Sequence, residues 1–427
     1  MEKELLRQVL VDQDEHFNTE RKLIPRDIDL TSYLKTKQVV VISGIRRCGK
    51  SSLLFLIKQM LKLKTSDYCY VNFDDERIEN TTAVLDQLYR LHIESYKKEP
   101  VFFFDEIQNV PLWEKFVNRM YERGLKLFVT GSNAKLLSSE VATLLTGRNK
   151  VIELFPFSFS EFLKYSNKSF DLLKLSTRSK SLLQSYFNDY ISFGGLPIVI
   201  REKDLEIINT YFQDILYRDI VSRYKLMQVN EIKQIALYFA SNIGKPFSYS
   251  TLQAVTGIKS TASVKTYLEY FEQSYLFFYL KKYDYSVKKQ IMNPKKVYSV
   301  DPAFVHRLGF SFSENLGRLL ENIVFMELRR RGKEVFYHLQ KKECDFLVRE
   351  GLKIKEAIQV TWSLNSLNFS RELEGLLEAM TTHKLKKGSI IVSDSLDRNF
   401  QLPSNVQVIP VSIWLLENKY KVSKSGS

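Results

Sequence analysis

At 427 residues the chain is long enough for about three domains, and a hydrophobic content of 44% can fill more than one core, which excludes global disorder. It has no apolar run of membrane-spanning length, and the start MEKELLRQVLVDQDEHF is too charged for a secretory signal, so neither membrane insertion nor export is supported and the cytoplasm is the default address. Three cysteines, Cys48, Cys69 and Cys344, without C-x-x-C spacing or a nearby histidine pair, set aside a disulfide framework or zinc site, while a net charge of +14 favours polyanionic partners over cationic ones.

The first chemical signal is the stretch VVVISGIRRCGKSSLL at 39–54, an apolar β-branched run that passes through two glycines into a Leu-rich segment. It satisfies the template G-x-x-x-x-G-K-S/T at Gly44, Gly49, Lys50 and Ser51, with a strand before it and a helix after it. The loop residues Gly44, Ile45, Arg46, Arg47, Cys48, Gly49, Lys50, Ser51 and Ser52 are therefore the candidate phosphate cradle, in which successive N–H groups at a helix N-terminus face an anion. Lys50 would reach the β- and γ-phosphates of ATP, and the Ser51 hydroxyl would sit on Mg²⁺. Downstream, DYCYVNF at 67–73, a helix over 82–97, VFFFDE at 101–106 and LKLFVTGSN at 125–133 give the βαβα rhythm of a parallel sheet buried on both faces. Four apolar residues followed by Asp105-Glu106 have the form of a Walker B element: Asp105 holds the metal, and Glu106 polarises the attacking water as hydrolysis requires. Ser132 or Asn133 after the fourth strand is placed to sense the γ-phosphate. Arg148, before the strand VIELF, reads either as a sensor or arginine finger or as a surface arginine capping a helix end.

These residues carry a resemblance. GIRRCGKSSLL, FFFDEIQNVPLWEKFV, VTGSNAKLLSSEVATLLTGR and FPFSFSEF, continued by GGLP, LYRDIVSRY, VYSVDPAF, GRLLENIVFMEL and ECDFLV, resemble the AAA-superfamily ATPases of the archaeal-ATPase type, relatives of the signal-transduction and origin-recognition ATPases. The resemblance implies an α/β fold: an added-strand P-loop core over 1–158, a helical lid over 159–227, and a C-terminal domain of unknown function that looks like a restriction endonuclease. It also implies ATP and Mg²⁺ as cofactors and sites completed across the subunits of a homo-oligomer, so that Arg148 would act in cis or in trans.

Between 160 and 225 the period is helical, broken by FGGLP at 193–197. Arg218, Asp219 and Arg223 in YRDIVSRY read as reporters of nucleotide state or as an ordinary ion-pair set. Over 228–294 the helix SYSTLQAVTG ends at Gly257, a second helix starts near Ser260, and YLFFYLKKY is strand-like, which fits a winged helix. Lys259, Ser260, Thr261, Ser263 and Lys265 would face outward. With Lys281, Lys282, Lys288, Lys289, Lys295 and Lys296 they make 259–296 the candidate surface for DNA or RNA; the competing reading is a protein-contact module with a solvated lysine face.

The remainder, 295–427, carries the acids of an endonuclease edge in part. Glu321 matches the helix acid and Asp345 the strand acid, but Gln359-Val360-Thr361 stands where E-x-K is expected. A missing carboxylate and a missing cation, each worth roughly 10² to 10³ in rate, predict a domain that binds or docks without cutting, unless Glu343, Glu356 or Lys355 moves into the site. Two functions are compatible with these features. The first is a Mg²⁺-dependent ATPase whose cycle moves the winged-helix and endonuclease-like pair on nucleic acid. The second is a nucleotide-gated switch that recruits a protein partner through the same modules.

Overall fold

The computed structural model describes residues 2–19, 23–133, 147–309, 316–393 and 400–417, and the chain divides into two compact units. The first comprises Met1–Phe155 with Gln273–Tyr275, the second Pro156–Glu272 with Leu276–Ser427.

The first unit is built on five parallel strands, β1 (Val39–Ser43), β2 (Tyr68–Asn72), β3 (Val101–Asp105), β4 (Leu127–Gly131) and β5 (Asn149–Glu153), in the spatial order β2-β3-β4-β1-β5. Parallel strands need crossover connections, and the helices Lys50–Met60, Thr82–Tyr96 and Trp113–Glu122 supply them between β1 and β4. Helices on both faces explain why β1 and β4 are buried at every residue and read as continuous apolar runs rather than as alternating ones. On one face Phe102 and Phe104 stack into a core with Val41, Leu85, Phe116 and Val129. Truncating a fully buried phenylalanine such as Phe104 to alanine costs about 3–5 kcal/mol. The insertion of β4 between β1 and the acidic strand β3 is the added-strand order that the resemblance implied. Because all strands run in one direction, every polar residue that comes directly after a strand gathers at one edge of the sheet.

The second unit begins with helices Phe159–Tyr165, Thr177–Phe193, Pro197–Glu202 and Glu206–Asp214, succeeded by a π-helical stretch over Ile215–Ser222 that holds YRDIVS. Here Asp219 is buried and pairs with Arg223 one turn on at 3.5 Å, a local ion pair within this helical segment. After the helix Val229–Ser241 come β6 (Pro246–Phe247), the helix pair Tyr249–Thr256 and Thr261–Gln273, then β7 (Phe277–Lys281) and β8 (Lys295–Ser299). Ser248 caps the first helix of the pair, and Gly257 ends it in the left-handed conformation. The strands form an antiparallel sheet in the order β6-β8-β7. The expected boundary at 294/295 therefore falls one strand early: β8 lies beyond it yet closes this sheet.

Next comes a second five-stranded sheet, of mixed direction, with β9 (Glu334–Leu339), β10 (Glu343–Glu350), β11 (Lys353–Thr361), β12 (Gly388–Val392) and β13 (Val406–Pro410) in the order β13-β12-β11-β10-β9. Leu316–Arg330 and Phe369–His383 are its long helices. Leu376, Ala379 and Met380 of the latter pack on Leu347, Ala357 and Ile390 of the sheet. Among the described residues no helix is long and apolar enough to cross a membrane.

Candidate functional site

The turn after β1 owes its shape to two glycines. A Cβ on Gly44 would lie 2.0 Å from the Leu154 carbonyl oxygen, so only glycine lets the chain leave β1 beside β5; Gly49, with φ of 102°, holds a left-handed conformation at the N-terminus of Lys50–Met60. Arg47 also takes a positive φ, 68°. Ile45 and Cys48 are buried under the loop, and the Cys48 thiol donates to the Leu154 carbonyl at 3.4 Å. Burial pushes that thiol up, away from the reactive thiolate, which makes it a packing residue of the loop. Arg46 reaches Asp74 at 3.5 Å, and Ser51 and Ser52 open the helix half-buried.

Lys50 folds back over this turn. Its ammonium donates to the carbonyls of Gly44 and Ile45 at 3.2 and 3.3 Å and lies 3.3 Å from Glu106 Oε1. Glu106 comes directly after β3 in a left-handed conformation, φ 52°, held by its own N–H on the Thr130 hydroxyl at 3.0 Å. Its other oxygen accepts from the Gln108 amide and from the backbone N–H of Ser132 at 3.2 Å. Asp105 is fully sheltered at the end of β3; Thr130 donates to one oxygen, Tyr70 to the other at 3.3 Å, and Ser51 also hydrogen-bonds it. Burial and the Glu106 charge raise the Asp105 carboxyl, against the pull of those hydroxyls. Burial is the largest influence on Glu106 and raises it, but the Lys50 and Arg46 charges and the Gln108 hydrogen bond together outweigh it and bring the carboxyl down to about 2; Lys50, whose burial works against its charge, is raised by Glu106, Cys48 and Asp105 acting together.

The structure thus brings together Gly44, Gly49, Lys50, Ser51, Asp105, Glu106, Ser132 and Asn133 at the carboxyl edge of the sheet. Asn133 takes part through its backbone: its carbonyl accepts from Ser43 at 3.1 Å, and the Tyr275 hydroxyl donates to the same serine at 3.0 Å. Arg148 does not join them. Its carbonyl accepts from Val39 at the start of β1, roughly 13 Å of strand from the loop, and its guanidinium is engaged by Asn118 and by Glu122 at 3.0 Å. Arg148 directly precedes β5 at the amino edge of the sheet, whereas the phosphate loop lies at the carboxyl edge. Sequence reasoning missed Arg26, which clamps the loop through the carbonyls of Cys48 at 3.0 Å and Phe155 at 2.6 Å, as well as Tyr70, Thr130 and Tyr275. None of these stands in a contiguous pattern with the loop.

Magnesium suits the donor set: one buried carboxylate beside one hydroxyl are hard oxygen ligands, and no group of three or more His, Cys, Asp or Glu among the described residues makes a self-sufficient metal cage. A cation held by one or two protein oxygens and completed by substrate phosphates is the usual magnesium arrangement.

The C-terminal acids also converge, around an unexpected partner. Glu321, on the buried face of Leu316–Arg330, and Asp345, at a bulge of β10, meet the ammonium of Lys296 from β8 at 2.9 and 3.1 Å, and Glu343 meets it at 2.6 Å. Tyr298 donates to Glu321 at 2.6 Å, and the backbone N–H of Val360 donates to the second oxygen of Asp345 at 2.9 Å. Gln359 bridges the Asp345 N–H and the buried Glu372, while Thr361 turns to the Ser363 carbonyl. Lys355 and Glu356 are exposed on β11, so of the three residues weighed as replacements Glu343 is the one that reaches the shared lysine. Burial and the neighbouring Asp345 charge push Glu321 up to about 7. Lys296 is 1% exposed and is corrected out of the lysine surface expected over 259–296; Lys259, Thr261, Lys265, Lys281, Lys288 and Lys289 are exposed as expected.

The sheet order, the glycine-shaped turn and the acidic pair of β3 define a P-loop NTPase of the added-strand class. The chain matches the model of an AAA domain over residues 36–163 and that of a domain of unknown function over 184–315. It is 38% identical over 395 residues to an uncharacterized protein of Methanocaldococcus jannaschii, covering 89% of this chain and 87% of the relative. It is 30% identical over 402 residues to an uncharacterized protein of Haemophilus influenzae, covering 91% and 96%. Among solved structures it is similar to the Aeropyrum pernix ORC1 protein in complex with DNA, at 12% identity and a TM-score of 0.28 over 72% of this chain and 91% of that one. The chain belongs to one family with the Methanocaldococcus and Haemophilus relatives and carries an AAA domain over residues 36–163.

Proposed function

We propose that the protein is a Mg²⁺-dependent ATPase that uses the nucleotide cycle to rearrange its C-terminal modules on nucleic acid. The observation that carries the ATPase half is the Lys50–Glu106 pair, in which the loop lysine and the candidate water-orienting carboxylate hold each other at 3.3 Å. A γ-phosphate entering the loop competes for Lys50, because a phosphate oxygen is a stronger acceptor than the Gly44 and Ile45 carbonyls. Glu106, relieved of Lys50 but still oriented by Ser132 and Gln108, can then accept the proton of a water aligned on the phosphorus. Ser51 and Asp105 would hold Mg²⁺, which neutralises the charge that develops on the phosphate oxygens. Arg26 keeps the cradle in place by tying Cys48 to Phe155.

For the nucleic-acid half, the helix pair and the three antiparallel strands around it support a winged-helix reading of 228–294 carried on through β8 to Ser299, and the exposed Lys259, Lys265, Lys281, Lys288 and Lys289 supply phosphate contacts. Tyr285, 82% exposed between these lysines, adds a stacking face for an unpaired base. ATP hydrolysis measured with and without single- and double-stranded DNA and RNA tests both halves. Stimulation by one of these polymers supports the reading, and hydrolysis indifferent to all of them rejects nucleic acid as the coupled partner. A second reading, a nucleotide-gated switch that docks a protein, gains from the acids around Lys296, which leave the C-terminal sheet without a cutting edge.

A further inference from the structure

The C-terminal acids present a geometric question independent of the nucleotide cycle: three carboxylates from two elements point at one buried position, and that position holds the side-chain nitrogen of Lys296. Glu321 comes from a helix, Glu343 and Asp345 from β10, and the lysine from β8, which belongs to a different sheet of the same unit. We propose that Lys296 is the resident cation of this acidic site, standing where an endonuclease would hold a divalent metal, and that it locks the site as a structural rivet inert to metal and phosphodiester alike.

Donor counting supports the lock. An ammonium has three N–H groups and no acceptor, and here all three have partners, at 2.6, 2.9 and 3.1 Å. None is left to steady a hydroxide or a developing phosphorane. Two of the carboxylates are committed as well: Tyr298 donates to the Glu321 oxygen that faces the lysine, and the second Asp345 oxygen takes the Val360 N–H. Spacing gives independent support. Oxygens 2.6–3.1 Å from a common centre suit N⁺–H···O⁻ bonds, whereas Mg²⁺ requires oxygens at about 2.0–2.1 Å in near-octahedral array. The lysine is 1% exposed; its desolvation is compensated by these acids, with the Tyr337 ring 5.7 Å away, and it stays charged because the carboxylates surround it. The site also carries more carboxylates than cations, which repels a phosphodiester unless a divalent ion intervenes.

Removing the lysine charge should open the lock. Lys296→Met keeps an unbranched side chain one atom shorter and removes the charge, leaving Glu321, Glu343 and Asp345 with no counter-ion and free to contract around one. The test titrates Mn²⁺ into the nucleotide-free full chain, reading bound ion by electron paramagnetic resonance. The wild type, Asp345→Asn, Lys296→Met and the double variant are compared, so that any ion at the Ser51–Asp105 site is common to all four. The expected result is one additional bound Mn²⁺ in Lys296→Met, abolished in the double variant, with no Asp345-dependent ion in the wild type. A folded Lys296→Met that gains no ion, or a wild type that already binds an ion lost in Asp345→Asn, overturns the proposal. Should Lys296→Met fail to fold, the wild type still decides: metal-dependent cleavage of DNA or RNA that Asp345→Asn abolishes contradicts the lock, and absence of both cleavage and Asp345-dependent Mn²⁺ supports it.

Discussion

The two units each bury a lysine among acids, and the contrast between the two lysines separates a working site from a fixed one. Lys50 spends its donors on two carbonyls and one carboxylate, all at 3.2–3.3 Å, whereas Lys296 spends them on three carboxylates, two of them within 2.9 Å. Long bonds to neutral carbonyls are readily exchanged for a phosphate; short bonds to three charges are not. The acids differ in the same sense. Glu106 is drawn down to about 2 against its burial by Lys50, Gln108 and Arg46, while Glu321 is pushed up to about 7 by burial and the Asp345 charge despite the ammonium beside it.

The contrast is broken most forcefully at Glu106 and Lys296. Glu106→Gln should lower ATP hydrolysis about 10²- to 10⁴-fold while leaving nucleotide binding intact, as single-turnover kinetics and equilibrium binding together would show. An unchanged rate would place the water-orienting group elsewhere. Lys296→Met should cost about 3–5 kcal/mol in the chemical unfolding of the second unit, because it strands buried charges, yet change the affinity for ATP little. If the loss fell below that of a typical surface substitution, the rivet would carry no stability.

The acid limb sharpens the same comparison. Glu106 has its folded value depressed from 4.5 to about 2, so the stability of its pair with Lys50 is complete above the unfolded value and is lost as pH falls towards the folded one. Denaturant unfolding of the first unit, tracked from about pH 6 down to about pH 3, should weaken along that limb, and Lys50→Met should flatten it. A smaller effect is expected from Arg148→Ala: its exposed pair with Glu122 contributes under about 1 kcal/mol to stability. Its position at the amino edge leaves action in trans as its one route to catalysis. In that case activity per protomer rises with protein concentration and the variant loses the rise; a flat dependence across the range of assembly removes Arg148 from the mechanism.

Legibility in the sequence depends on distance along the chain. The phosphate cradle is contiguous, so Gly44, Gly49, Lys50 and Ser51 declare their geometry locally, and Asp105-Glu106 declare theirs by ending a buried run. Parallel topology then brings both to one edge. Arg148 shows where strand reasoning needs direction as well as order: proximity to β5 suggests a catalytic role, yet the residue stands at the wrong end of that strand. Lys296 is hidden for another reason. It reads as one of six lysines between 281 and 296, and Glu321 and Asp345 lie 25 and 49 residues away, with no spacing rule to connect them. One local sign is present. In KKVYSV the period of two puts Lys296 on the same face as Tyr298 and Val300, an apolar company unlike that of a solvated lysine. Arg26 and Tyr275 carry no comparable sign, since each acts through long-range contacts.

Equilibrium uptake of labelled ATP with Mg²⁺ by the full chain and by Lys50→Met tests most directly whether the cradle grips a triphosphate. Saturable uptake is expected of the first, and a loss of at least about tenfold in affinity of the second, the least that exchanging a charged phosphate contact for none should cost. Uptake that never saturates, or that is unaltered when Lys50 is neutralised, would contradict a nucleotide site built on this loop.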